Sequence, residues 1–130
     1  MNNAVKAVLA ALCAIGGFLF GDWNGPMLTL IGAIVIDYVS GVIAAVVEKK
    51  VSSEVGAKGI AKKIFMLLIV AIANVVDINV IGEGHVLKSV TVLFYIANEC
   101  ISILENASRL GVPFPRKLLD VMEQLKNKDN

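Results

Sequence analysis

Hydrophobic residues in this chain run in blocks rather than alternating with polar ones. The first block carries no charge from Ala7 to Gly21. The second extends from Trp23 to Val47 around a single Asp37. The third runs from Ile64 to Gly82 with Asn74 and Asp77 in its second half, and the fourth from Val86 to Leu104 with Asn98 and Glu99 inside it. Such blocks suit helices: about 18 residues make roughly 27 Å of helix, against a hydrocarbon core of about 30 Å. Period-two alternation, which a membrane barrel needs, is missing from them. The pattern predicts an all-α integral membrane protein with spans at residues 4–21, 23–47, 64–82 and 86–104. If the first segment lies on the membrane surface instead, three spans remain. Past Leu110, Gly111, Pro113 and Pro115 stop the pattern, and residues 111–130 read as a tail with a short amphipathic helix, Leu118, Val121, Met122 and Leu125 on one side and a solvated end from Asn127 to Asn130.

Composition supports this reading: 57% of residues are hydrophobic, only 18% are charged, and the mean hydropathy is +0.77, outside the range of ordinary soluble domains. A net charge of +1 argues against a nucleic-acid surface, which needs an excess of Lys and Arg. Cys13 and Cys100 both lie in apolar blocks and His85 is the single histidine, so no metal, redox or cofactor site is indicated. The intramembrane carboxylates sit on separate helices without a nucleophile and base, which argues against an enzyme. A basic, apolar N-terminal segment also suits a signal peptide, but no small-x-small site precedes a polar chain and Leu12 stands before Cys13, so the first helix is expected to be retained.

The basic residues set an orientation. Lys49, Lys50, Lys58, Lys62 and Lys63 crowd the connection at residues 48–63, which the positive-inside rule assigns to the cytoplasm. Four spans then put both termini inside, with all of the 12 basic residues except Lys88 on that side.

Small residues mark where membrane helices meet, because lipid tails give apolar faces no reason to associate. In the first span Ala7, Ala10, Ala14, Gly17 and Gly21 recur at steps of three and four; in the second, Asp37 shares a stripe with Ala33, Ser40, Gly41 and Ala44. Its carboxylate therefore points at protein, where it finds a partner or a proton. Asn74 and Asp77 repeat the device. The fourth span carries Thr91, Tyr95, Asn98, Ser102, Glu105 and Arg109 on one stripe with Glu99 and Asn106 on its shoulder, while Val92, Phe94, Ile96, Ile101, Ile103 and Leu104 supply the remaining surface. A wet lumen or a polar seam between helices explains such a stripe, as does ordinary intramolecular bonding within a bundle.

Two blocks of sequence, IDYVSGVIAAVVEKKVSSEVGAKGIAKKI at 36–64 and FYIANECISILENASRLGVPFPRKLLDVMEQL at 94–125, resemble the toxin-secretion and phage-lysis holin family, small phage membrane proteins related to the clostridial toxin-release holin. The resemblance rests on Asp37 followed by Gly41, the basic segment with paired Ser, and the Asn-Glu, Ser, Glu-Asn, Leu-Gly-x-Pro-x-Pro series. It implies a protein of the bacterial cytoplasmic membrane that associates with its own copies and opens holes at a set time. These release an endolysin, or a toxin, without requiring direct contact with it. Family members are often drawn with three spans, whereas this chain reads as four. The alternative is a small homo-oligomeric ion channel or transporter using Asp37 and Glu99.

Overall fold

The computed structural model describes residues 2–128, which form five helices: α1 (Asn3–Phe20), α2 (Gly25–Val47), α3 (Ser53–Val76), α4 (Val86–Arg109) and α5 (Arg116–Lys128). The first four are long and apolar enough to cross a membrane. Three of them start on side-chain caps, which satisfy backbone N–H groups that a helix start leaves free. Ala4 N donates to Asn2 Oδ1 at 2.7 Å, Met27 N to Asn24 Oδ1 at 3.2 Å and Val55 N to Ser52 Oγ at 3.3 Å.

The Ser52 cap changes the reading of the basic segment. Most of residues 48–63 belongs to α3, and only Glu48–Ser52 connects it to α2. Ala57, Lys58, Ala61, Lys62 and Lys63 are good helix formers, and Gly56 gives passage to a neighbour: a Cβ there would lie 3.3 Å from the Tyr38 hydroxyl. Lys63 thereby becomes a position on a buried helix face instead of a loop charge.

At its far end α3 runs into a π-helical turn, Asp77–Ile81, closed by Gly82 N donating to Asp77 O at 2.8 Å. That turn aims the Asp77 carboxylate at the start of α4, where it accepts from Leu87 N at 3.1 Å and Lys88 N at 2.8 Å. His85 supplies no side-chain cap there, so a residue from the preceding helix does. Asn74 acts likewise on the end of α1: its amide donates to Leu19 O at 3.0 Å and Phe18 O at 3.4 Å. Gly21 follows at a φ of +68°, and a Cβ on it would fall 2.8 Å from Asn74 Oδ1, so both conformation and space require glycine.

α2, α3 and α4 make the bundle. Glu48 meets Arg109 at one end, and Lys88 Nζ donates to the Asp22 carbonyl at 3.0 Å at the other, so α2 and α4 run in the same direction. The end of α3 caps the start of α4, so α3 runs against them. Met27, Leu30, Val70, Val92 and Ile96 form the apolar core, near the end that holds Asp22 and Lys88. α4 is central: Val92, Ile96, Ala97 and Leu104 are buried, so Val92, Ile96 and Leu104 are core and not the outer surface their hydropathy suggested. The outer surface is apolar instead on α2 and α3, with Val35, Ile36, Val39, Phe65, Leu68 and Ile72 exposed, a belt that lipid matches and water does not.

α1 stands apart. Among the described residues it buries none, and it packs against α3, with Phe20 reaching the apolar core. α5 folds back along the end of α4, with Leu119, Met122 and Leu125 half-buried but Leu118 and Val121 exposed. The expected apolar side is thus rotated, and Leu119 takes the inward place. The helix continues through Lys128, so the expected solvated end is helical at residues 127–128, while residues 129–130 lie outside the described residues.

Candidate functional site: a buried polar seam

At the end of the bundle opposite the apolar core, the interior is polar. Lys63 Nζ on α3 donates to Asp37 Oδ2 on α2 at 2.8 Å and to Glu99 Oε2 on α4 at 2.7 Å. The three side chains are 15%, 11% and 4% exposed, which places them in the regime of buried ion pairs and not of weak surface ones. Each lies about ten residues, roughly 15 Å of helix, from the end of the bundle that holds Glu48 and Arg109. Two carboxylates thus share one ammonium.

Asn106 extends the seam. Its amide donates to Ser40 Oγ at 2.9 Å, Asp37 Oδ1 at 3.0 Å and the Asp37 carbonyl at 3.2 Å. Arg109 follows one turn later, its Nη1 3.4 Å from Asn106 Oδ1 and its Nε donating to Glu48 Oε1 at 2.9 Å, with Nη2 on the same carboxylate. That hydrogen bond to the guanidinium holds the Glu48 carboxyl below the usual carboxylate range. A continuous polar path thus runs from the exposed Glu48–Arg109 pair inward to Glu99. Beside it, α2 and α3 splay around a cleft of about 710 Å³, whose walls include Asp37, Gly41, Asn98, Glu99 and Ser102.

The structure therefore gathers Asp37, Ser40, Gly41, Asn98, Glu99, Ser102 and Asn106 into one region. The two residues assigned to the shoulder of the α4 stripe, Glu99 and Asn106, are its buried members, whereas Glu105 and Arg109 are exposed. Glu105 lies by α5, in a groove with Phe114 and Leu119. Tyr95 packs against the apolar core. Asn74 and Asp77 sit at the other end as the helix caps described above. Ala10, Ala14 and Gly17 join nothing within the chain: all three are exposed, and a Cβ on Gly17 would meet no atom within 4 Å.

Lys63 was missed as a site residue because it was counted with the basic connection. One signal points to it: once Ser52 is taken as a cap, Lys63 falls ten residues into α3 and at the depth of both intramembrane carboxylates. Lys88, the single cation assigned to the outer side, is also buried, at 7% exposure.

Comparison with known proteins agrees with the motifs. The chain matches the bacteriophage holin family over residues 14–127. It is 37% identical over 126 residues to a Clostridium perfringens protein named as an uncharacterized 14.9 kDa protein in the nagH 3′ region, covering 97% of this chain and 96% of that one. An uncharacterized protein of Listeria monocytogenes is 42% identical across 94% of this chain and 86% of its own length. An uncharacterized protein of Bacillus subtilis is 39% identical across 85% and 77%. No solved structure matches the chain. The chain belongs to the bacteriophage holin family.

Proposed function

We propose that this member of the bacteriophage holin family accumulates in the bacterial cytoplasmic membrane, associates with its own copies and opens holes that release an endolysin, or in some hosts a toxin, for timed lysis. The observation that carries this reading is the buried seam around Lys63. A set of charged and amide groups at membrane depth, held by three helices, stays harmless while its members satisfy one another. It becomes a wetted surface when the helices part. Weak contacts between small faces, each below about 1 kcal/mol, suit an assembly that is inert at low density and cooperative at high density. The site residues on α1 and α2 then serve association, and those on α4 serve the wet face.

Inducing the gene in a bacterium that also produces a cytoplasmic muralytic enzyme tests this. Viability, membrane potential and appearance of the enzyme outside the membrane are followed together, and abrupt loss of the first two with release of the enzyme at a reproducible time is the expected result. Depolarisation with the enzyme fully retained favours the second reading, a small ion channel or transporter, which the two carboxylates Asp37 and Glu99 gathered around one ammonium recommend.

Orientation makes a separate prediction. Both termini and residues 48–63 are expected in the cytoplasm, because all basic residues but Lys88 then lie inside. In a cysteine-free background, a cysteine placed at Ser53 should resist an impermeant reagent applied to intact cells. Labelling there overturns the orientation, and labelling at Asn3 alone favours three spans.

A further inference from the structure

The cleft between α2 and α3 has features that hole formation leaves unused. It opens at the α2–α3 connection, where Lys50 lines it; Lys62 lines it nine residues into α3, and, among the described residues, neither has an ion-pair partner. Arg109 at the same opening is already taken by Glu48. The walls between the opening and the seam include Val42, Val51 and Val55, which are apolar, and Met66 lines the cleft beyond Lys63. α2 and α3 touch each other less than either touches α4, which leaves the crevice between them. Its volume, about 710 Å³, falls within the range of ordinary ligand sites.

We infer that this cleft binds one anionic phospholipid, its headgroup drawn by Lys50 at the opening and Lys62 further along α3 and an acyl chain along the apolar walls. Basic openings between membrane helices recognise anionic headgroups because a low-dielectric wall strengthens the attraction. The occupant is a lipid and not a second copy of the chain. A second copy would bring the same basic turn to the opening, and like charges repel there. A zwitterionic lipid carries its own ammonium next to the phosphate and loses most of the attraction. The bound lipid covers the side of the seam that α2 and α3 leave open, keeping water from Lys63 while the chain is dispersed. The inference needs only that the helices span a bilayer, so it stands or falls apart from hole formation.

Native mass spectrometry of the full chain in detergent, with equal amounts of phosphatidylglycerol and phosphatidylcholine added, tests it. The phosphatidylglycerol adduct should dominate. A K50Q/K62Q double variant should retain that lipid roughly thirtyfold less well, about fivefold for each lysine. The charge-matched K117Q/K126Q variant on α5 should retain it fully. Ala45→Phe, which narrows the cleft without changing charge, should also lose the lipid, and it decides the matter if the lysine variant loses helix content by circular dichroism. Equal retention of the two lipids overturns the inference. So does equal loss in the α5 variant, or full phosphatidylglycerol retention in a folded K50Q/K62Q protein or in Ala45→Phe.

Discussion

Replacing Lys63 by Met is expected to be the most damaging single change to the bundle. It leaves Asp37 and Glu99 facing each other in a buried site with no cation, and removing one partner of a buried ion pair is destabilising by about 3–5 kcal/mol. The variant should reach the membrane poorly, and its detergent-purified form should lose helix content at a lower temperature than the parent. Glu99→Gln should behave in the opposite way. It leaves one carboxylate and one ammonium, a balanced pair, with an amide still able to accept from Lys63 Nζ. Its stability should lie within about 1 kcal/mol of the parent, as for replacements that leave no charge unpaired, and its effect should appear as altered lysis timing. The triple variant Lys63→Met, Asp37→Asn, Glu99→Gln carries no charge at all and should recover most of the loss. Thermal unfolding followed by circular dichroism, with membrane level measured by immunoblot, separates these outcomes. A Lys63→Met protein as stable as the parent would show that the three side chains do not act as one charged cluster.

The second large effect is expected on α1, and the fold makes it unusually clean to read. Ala14 and Gly17 are exposed, and a Cβ on Gly17 would meet no atom within 4 Å, so Leu at either position should disturb the protomer's own packing little. A loss at matched protein level then points to a contact with another molecule. Ala14→Leu or Gly17→Leu should keep a neighbouring backbone at a distance and weaken self-association by roughly tenfold or more, the about 1.4 kcal/mol that a few small-face contacts supply. Lysis should be delayed severalfold or abolished. Leu12→Ala removes an exposed side chain on the other side of the helix and should matter much less. Crosslinking in the membrane together with lysis timing at matched protein level gives the comparison. Equal effects from Leu12→Ala and Gly17→Leu would mean that the recurrence of small residues has no role in association.

Much of this protein is local in origin and was therefore visible along the chain. Four helices follow from four apolar blocks, because in lipid each backbone donor must be satisfied within its own segment. The stop after Leu110 follows from Gly111 and two prolines, whereas the start of α3 at Ser53, eleven residues before the Ile64 that hydropathy marks, depends on the Ser52 cap. The polar positions inside the blocks, and the inference that Asp37 points at protein, follow from helical periodicity alone. The bacteriophage holin family was legible in two short motifs. What periodicity cannot supply is azimuth and depth relative to other helices. Lys63 lies 26 residues from Asp37 and 36 from Glu99, and only packing decides that the three converge. The same holds for Asp77, whose carboxylate serves the first turn of a different helix, for Glu99 and Asn106, which packing turns inward in place of Glu105, and for Leu119 on α5. It holds also for α1, whose small face reads as a contact surface in sequence and is left uncovered by its own chain. Hydropathy is a property of each residue and its few neighbours along a helix, whereas partner choice depends on how three helices settle against one another, and that arrangement exists only in the folded bundle.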